Sequence, residues 1–159
     1  MLSVPEGVLG KRGALNDAER ALVERHVDAG AEMLRDDVHP MIFTAREMVR
    51  YHHAHWDGDG YPPRVNGTFI PLSARICAIA DAYDSMVSGV GHVPKRGMGD
   101  ALDELKKESG RQFDPGLVSC FDALIRSETA ELGMDLDTGP GFEDFQALVS
   151  ALREDRGFV

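Results

Sequence analysis

Cysteine is almost missing from this 159-residue chain, which has two, Cys77 and Cys120. Two cysteines cannot make a disulfide framework. Each sits in an apolar run where a free thiol packs as a small hydrophobe, a usage that fits a reducing cytoplasm. Long hydrophobic runs are absent too: no stretch approaches 18 apolar residues, so no membrane span is expected. The start, Met1 to Glu6, has no basic region followed by an apolar core, so no targeting signal is expected either. Positive charge is in short supply, with 17 Lys and Arg against 27 Asp and Glu and a net charge of -10. That balance argues against a nucleic-acid partner held by broad counterion release, and leaves a locally positive site, such as a bound metal, open. What is present is ordinary for a globular chain: 43% hydrophobic and 28% charged residues, at a length that predicts one domain.

The helix signals come first. Asn16 followed by Glu19 is a capping-box pattern, and the stripe Ala18, Leu22, Ala29, Met33 predicts a helix with His26 on its inward side. After Pro40 a second helical pattern runs to about His53, with Met41, Ala45, Met48 and then His52 on one face. Residues 56 to 67 change abruptly to a Gly- and Pro-rich composition, an ordered loop. Pro71 opens a third helix over about 73–88, apolar on nearly every side, which predicts a buried Asp81. Further helices are predicted over 100–110, ended by Gly110, and from Asp114-Pro115 to about Ile125. No strand-period alternation of useful length appears, so the fold class is all-α. Residues 127–159 carry eight acids and two bases, six of the ten net negative charges, and Phe142, Phe145, Leu148, Val149 and Leu152 predict a final amphipathic helix over about 143–154.

Four residues concentrate the chemistry: His26, the pair His52-His53, and Asp81. Imidazole nitrogens with a carboxylate oxygen suit iron, manganese or zinc, and are the wrong mixture for calcium. Each also has a plain explanation. A histidine on an apolar stripe is more often a hydrogen-bonded core residue than a ligand, and adjacent histidines on a helix point about 100° apart. Asp81 is harder to set aside, because a carboxylate in an apolar helix needs a partner and its nearest cation along the chain, Arg75, is six residues back.

Three blocks then coincide in order and spacing. They are His52-His53-Ala54-His55-Trp56-Asp57-Gly58-Asp59-Gly60-Tyr61-Pro62; Gly67 with Ile70-Pro71-Leu72 and Ala74-Arg75-Ile76; and Ile79-Ala80-Asp81 with Asp84. Together they resemble the HD-GYP phosphodiesterases, named for a His-Asp dyad and a Gly-Tyr-Pro motif. The resemblance extends through Val4-Pro5, Val8-Leu9, Lys11, Gly13, Leu15 and His26 with Gly30 on one side, and through Phe113-Asp114-Pro115 and Leu117-Val118 on the other. It covers residues 4 to about 126, which sets a partial HD-GYP domain over 1–126 and an acidic C-terminal segment over 127–159.

The resemblance implies an all-α bundle holding two or three iron or manganese ions that hydrolyse cyclic di-GMP to the linear dinucleotide or GMP. It implies His26, His52, His53 and Asp81 as metal ligands. It also implies Asp57, Gly58, Gly60, Tyr61 and Pro62 as a loop shaping the substrate entrance, which in some members contacts diguanylate cyclase domains. The departures are specific. The dyad belongs further upstream of His26 than these residues reach, Met1 stands where the family has a lysine near the scissile phosphate, and Ala54 replaces a Glu that follows the paired histidines. Val90-Gly91-His92-Val93 replaces a basic phosphate-contacting stretch, leaving Lys95 and Arg96 as shifted substitutes. Three readings follow: the C-terminal part of a complete phosphodiesterase, inactive alone; a degenerate module with a regulatory or protein-interaction role; or a helical domain with hydrogen-bonded core histidines and no metal. Without the family's first helices the apolar faces would be uncovered, which predicts a homodimer or a molten state.

Overall fold

Asn16 does start a helix. Its side chain accepts the Glu19 amide at 2.9 Å and the Glu19 carboxylate accepts the Asn16 amide at 2.8 Å, both halves of a capping box. The computed structural model describes residues 4–11, 13–35, 39–89, 94–134 and 136. Within them lie α1 (Glu6–Leu9), α2 (Asp17–Glu24), α3 (His26–Met33), α4 (Pro40–Tyr51), a short 3-10 turn (Gly67–Phe69), α5 (Leu72–Ser88), α6 (Met98–Lys107) and α7 (Pro115–Glu131). No strand occurs among the described residues, so the fold is all-α as expected. The final helix expected over 143–154 lies outside the described residues.

Two expectations need correction. The helix predicted from Asn16 through Met33 is broken at Arg25 into α2 and α3. The break changes the phase of the buried face: Val27 and Ala31 are buried while Met33, expected inside, is 74% exposed. The length predicts one domain, whereas the chain packs as two compact units, residues 1–77 and residue 78 onward, with the division inside α5.

In the first unit α3 lies against α4, and Gly30 permits the approach: a Cβ there would stand 2.6 Å from Cγ1 of Val49. A smaller cluster of Ala54, Ile70 and Ala74, with Tyr51 and Val65 against it, holds the 52–71 segment in place. The second unit has the larger core, built from Ile79, Tyr83, Met86 and Val87 of α5, Met98, Ala101, Leu102 and Leu105 of α6, and Phe113, Val118 and Ile125. Asp114 caps α7 through the amides of Gly116 and Leu117, with Pro115 at the first helical position, as the sequence predicts. The packed helix then runs six residues past the predicted end, to Glu131.

Burial along α5 settles the environment of Asp81. Ile79, Tyr83, Met86 and Val87 recur at one helical face, and Asp81, two residues from both Ile79 and Tyr83, stands about 200° around the axis from each. It is exposed. The prediction of burial is therefore corrected: apolar residues of the run also face solvent, Ala80 and Ile76 among them.

Candidate metal centre

His26, His52 and His53 come together in the first unit. One ring nitrogen from each lies within 4.8 Å of the other two. Ring centroids are 4.1 Å apart for His52 and His53, 5.2 Å for His26 and His53, and 5.5 Å for His26 and His52. The adjacent pair shares this site at the end of α4, which closes at Tyr51. His52, the cap residue, keeps helical dihedrals and His53 lies in the turn beyond, yet their ring centroids stand only 4.1 Å apart.

Two of the rings are aimed by the backbone. His26 Nδ1 lies 2.6 Å from the Val23 carbonyl and His52 Nδ1 lies 2.9 Å from the Val49 carbonyl, in each case three residues back. A carbonyl only accepts, so Nδ1–H donates in both, which leaves each Nε2 with its lone pair directed away from the backbone. That is the arrangement by which a hydrogen-bonded outer partner fixes tautomer and orientation in metal-ligating histidines. The sequence expectation named these histidines but missed the Val23 and Val49 carbonyls, for which the only signal is the spacing of three.

His53 resists protonation. The His53 imidazole is pushed down to about 4, chiefly by burial and then by the neighbouring His52, His26 and His55 rings. Neutral imidazole is the metal-binding form, so near neutral pH His53 is ready to ligate. Ligand nitrogens at about 2.1 Å from one ion stand no more than about 4.2 Å apart. A set within 4.8 Å therefore fits one ion after small ring rotations, or two ions about 3.5–4 Å apart. The donor set fits a borderline divalent cation, and iron or manganese specifically is not selected by three imidazoles.

The glycine- and tyrosine-bearing loop returns onto this cluster. The Tyr61 amide donates to the His53 carbonyl at 3.1 Å, and the Tyr61 ring stacks on the His53 ring with centroids 4.8 Å apart and planes 30° apart. Gly60 is required there, because a Cβ would collide with backbone atoms of His53, Ala54 and His55. Gly58 has φ of 96°, in the region that favours glycine, and Asp57 accepts the Asp59 amide at 3.0 Å to tighten the turn. Pro62 follows, half-buried.

Outside the cluster the placement is different. Asp81 stands on α5 in the second unit, and the three-histidine group does not include it. Lys95 is exposed, and Arg96 is held by Glu104 at 2.9 Å, a bond that also keeps the Glu104 carboxyl below its ordinary range. Ala54 is 5% exposed against Ile70 and Ala74, a small dry niche that an alkyl side chain fills. A cleft of about 510 Å³ opens along α3 and α4, but its lining balances Arg35, Arg46 and Arg50 with Asp28, Glu32 and Glu47, so it has no net charge to draw a phosphate.

Residues 1–117 match the family model described as HD domain. Among curated relatives, the chain is 36% identical over 117 residues to 3'3'-cGAMP-specific phosphodiesterase 2 of Vibrio cholerae, covering 74% of this chain and 22% of that protein. It is 37% identical over 125 residues to the cyclic di-GMP phosphodiesterase response regulator RpfG of Xanthomonas campestris, covering 79% and 32%. It is 31% identical over 128 residues to a cyclic di-GMP phosphodiesterase of Thermotoga maritima, covering 80% and 35%. The chain thus spans between about a fifth and a third of the length of these relatives.

Proposed function

The chain belongs to the HD domain family, as a domain of the HD-GYP type, and from that premise we propose that it supplies a three-imidazole metal site for hydrolysis of cyclic di-GMP. The observation that carries the proposal is the convergence of His26, His52 and His53 with two of them anchored through Nδ1. When bound, a divalent ion in such a site lowers the pKa of water and neutralises phosphodiester charge. The work of the chain's own residues is to hold three imidazole donors in place, with the loop bearing Tyr61 covering one side. Asp81 is proposed as a carboxylate donor to the same chemistry. Its exposure on α5 leaves it accessible to an ion, and a two-ion centre needs oxygen donors that three histidines do not provide.

Four ligands, the three imidazoles and Asp81, divided over two or more ions leave each under-coordinated, so this chain alone binds metal weakly and turns over no substrate. Elemental analysis after purification, with chromatography of cyclic di-GMP incubated with the chain and Mn2+ or Fe2+, tests this. The expected result is less than one tightly held metal per chain, abolished in H26A/H52A/H53A, and no linear product. Equal metal content in that triple variant overturns the site. Turnover that disappears in Asp81→Ala overturns the incompleteness. 3'3'-cGAMP belongs in the same assay, since several similar relatives are named for it.

A second reading is a module with a regulatory or protein-interaction role, reached by binding without hydrolysis. Two observations favour it: the dry niche at Ala54, where an orienting Glu is expected, and the engagement of Arg96 by Glu104. A diguanylate cyclase domain retained through the Asp57–Pro62 loop, and released by substitutions there, is its test. No helix among the described residues is long and apolar enough to cross a membrane.

A further inference from the structure

We infer that Tyr61 is a positioning residue for His53, doing by ring stacking what backbone carbonyls do for His26 and His52. The inference rests on the metal-site reading given above. The three histidines are not held alike. Val23 and Val49 each offer a carbonyl to an Nδ1–H, which fixes both tautomer and ring rotation. The His53 ring has no such carbonyl among the described residues; its close partners are rings, His52 at 4.1 Å and Tyr61 at 4.8 Å. The His52 ring is tilted 39° to that of His53 and is itself turned toward the Val49 carbonyl, so it offers His53 no parallel face. Tyr61 is a neutral face within 30° of coplanar, which restricts rotation of the imidazole without competing for either nitrogen.

The loop is built to deliver that face. Tyr61 N–H closes onto the His53 carbonyl at 3.1 Å, tying the two residues across the turn. Gly60, by lacking a Cβ, lets the strand of chain before Tyr61 pass against the backbone of His53 to His55. The ring of Tyr61 also stands 6.2 Å from that of His26 at an interplanar angle of 79°, so it sits at the border of the whole cluster and not on one side chain alone. A position for Tyr61 at the substrate entrance and a grip on His53 are compatible, but they predict different consequences for substitution.

Cobalt(II), whose visible spectrum reports ligand geometry, is the probe, with the full chain and a competing chelator. Tyr61→Phe, which keeps the ring, binds Co2+ within about twofold of the parent with the same spectrum. Tyr61→Leu, which keeps apolar bulk without a face, binds it roughly 10- to 100-fold more weakly, the range typical for loss of an outer-sphere partner. Tyr61→Leu binding as tightly as the parent, or Tyr61→Phe as weakly as Tyr61→Leu, overturns the inference. A second measurement is independent of metal: in the metal-free chain the carbon-bound ring protons of His53 are shifted upfield by the Tyr61 ring current, and those of His55 are not. Absence of that upfield shift overturns the stacking even if Tyr61→Leu does not fold. A parent chain that binds no Co2+ overturns the metal-site reading instead, and the ring-current measurement then still decides the placement of Tyr61.

Discussion

Replacing Gly30 by alanine sets two opposed effects against each other, and the structure says which wins. In the interior of α3 the change gains about 1 kcal/mol of helix propensity. Against it, the new Cβ would stand 2.6 Å from Cγ1 of Val49, about 1 Å inside ordinary contact. Val49 is β-branched and sits on a helix, where its χ1 has essentially one choice, so the contact is relieved by moving α3 away from α4 and not by rotating a side chain. Overpacking of this kind costs about 1–3 kcal/mol, which leaves Gly30→Ala destabilising by up to about 2 kcal/mol. In a Val49→Ala background the offending atom is gone, the propensity gain alone remains, and the same substitution stabilises by up to about 1 kcal/mol. Urea unfolding of the four proteins followed by far-UV circular dichroism therefore gives a coupling of about 2 kcal/mol with a change of sign. Displacing Val49 also disturbs the carbonyl that orients His52, so Gly30→Ala weakens metal binding in the same samples. Stabilisation by Gly30→Ala in the parent background would refute the close approach of α3 and α4 and the reasoning built on it.

Acid should loosen the first unit through His53. Above pH 6.5 the ring is neutral folded and unfolded and contributes nothing; between 6.5 and about 4 only the unfolded ring takes up a proton, so stability falls as pH falls and levels off below 4. Solvent reaching the half-buried ring screens the repulsion and leaves a loss of about 1–2 kcal/mol, seen in chelator as a steeper decline of the urea midpoint for the parent than for His53→Gln; equal slopes would contradict it. Asn16→Ala removes one half of the capping box and lowers stability by about 1 kcal/mol, and Asn16→Asp restores most of it in thermal melts. Asp114→Ala, which strands the Gly116 and Leu117 amides at a residue that is 9% exposed, costs about 1–2 kcal/mol by the same measurement, and a neutral effect would show that α7 does not depend on its cap.

What could be read from the chain was what is local. The Asn16 and Asp114 caps, Pro115 at the first helical position and the start of α5 after Pro71 each depend on side chains within four residues of the backbone groups they satisfy, and all of them are found. The histidines were legible as residues but not as a geometry, because their convergence depends on how α3 lies against α4 and on the turn after Tyr51, which no Gly or Pro marks. The break at Arg25 carries no breaker either; the imidazole of His26 bonding back to Val23 competes there with the helix ladder, a side-chain effect that apolar spacing does not register. Asp81 was misplaced for a different reason. Alanine counts as apolar in a periodicity but tolerates solvent, so the stretch around Asp81, with Ala78, Ala80 and Ala82, looks buried all round when its buried face is that of Ile79, Tyr83, Met86 and Val87.

The charge of the chain bears on the proposed chemistry once it is divided. An overall -10 would repel an anionic dinucleotide. Residues 1–77, which hold the histidine cluster, carry eleven acids and nine bases, a net charge of only -2, while the remaining -8 falls from residue 78 onward and is heaviest after 126. One divalent ion on three neutral imidazoles cancels the net charge of the first unit, and a second makes it positive. Cyclic dinucleotide binding by this chain should therefore require metal, and should tighten when the acidic segment is neutralised by Glu143→Gln, Asp144→Asn, Glu154→Gln and Asp155→Asn together. The effect is larger at 20 mM than at 200 mM salt, because added salt screens charge against charge. Binding that is metal-independent, or indifferent to those four substitutions at low salt, would mean that the ligand is held by something other than the charge at the cluster.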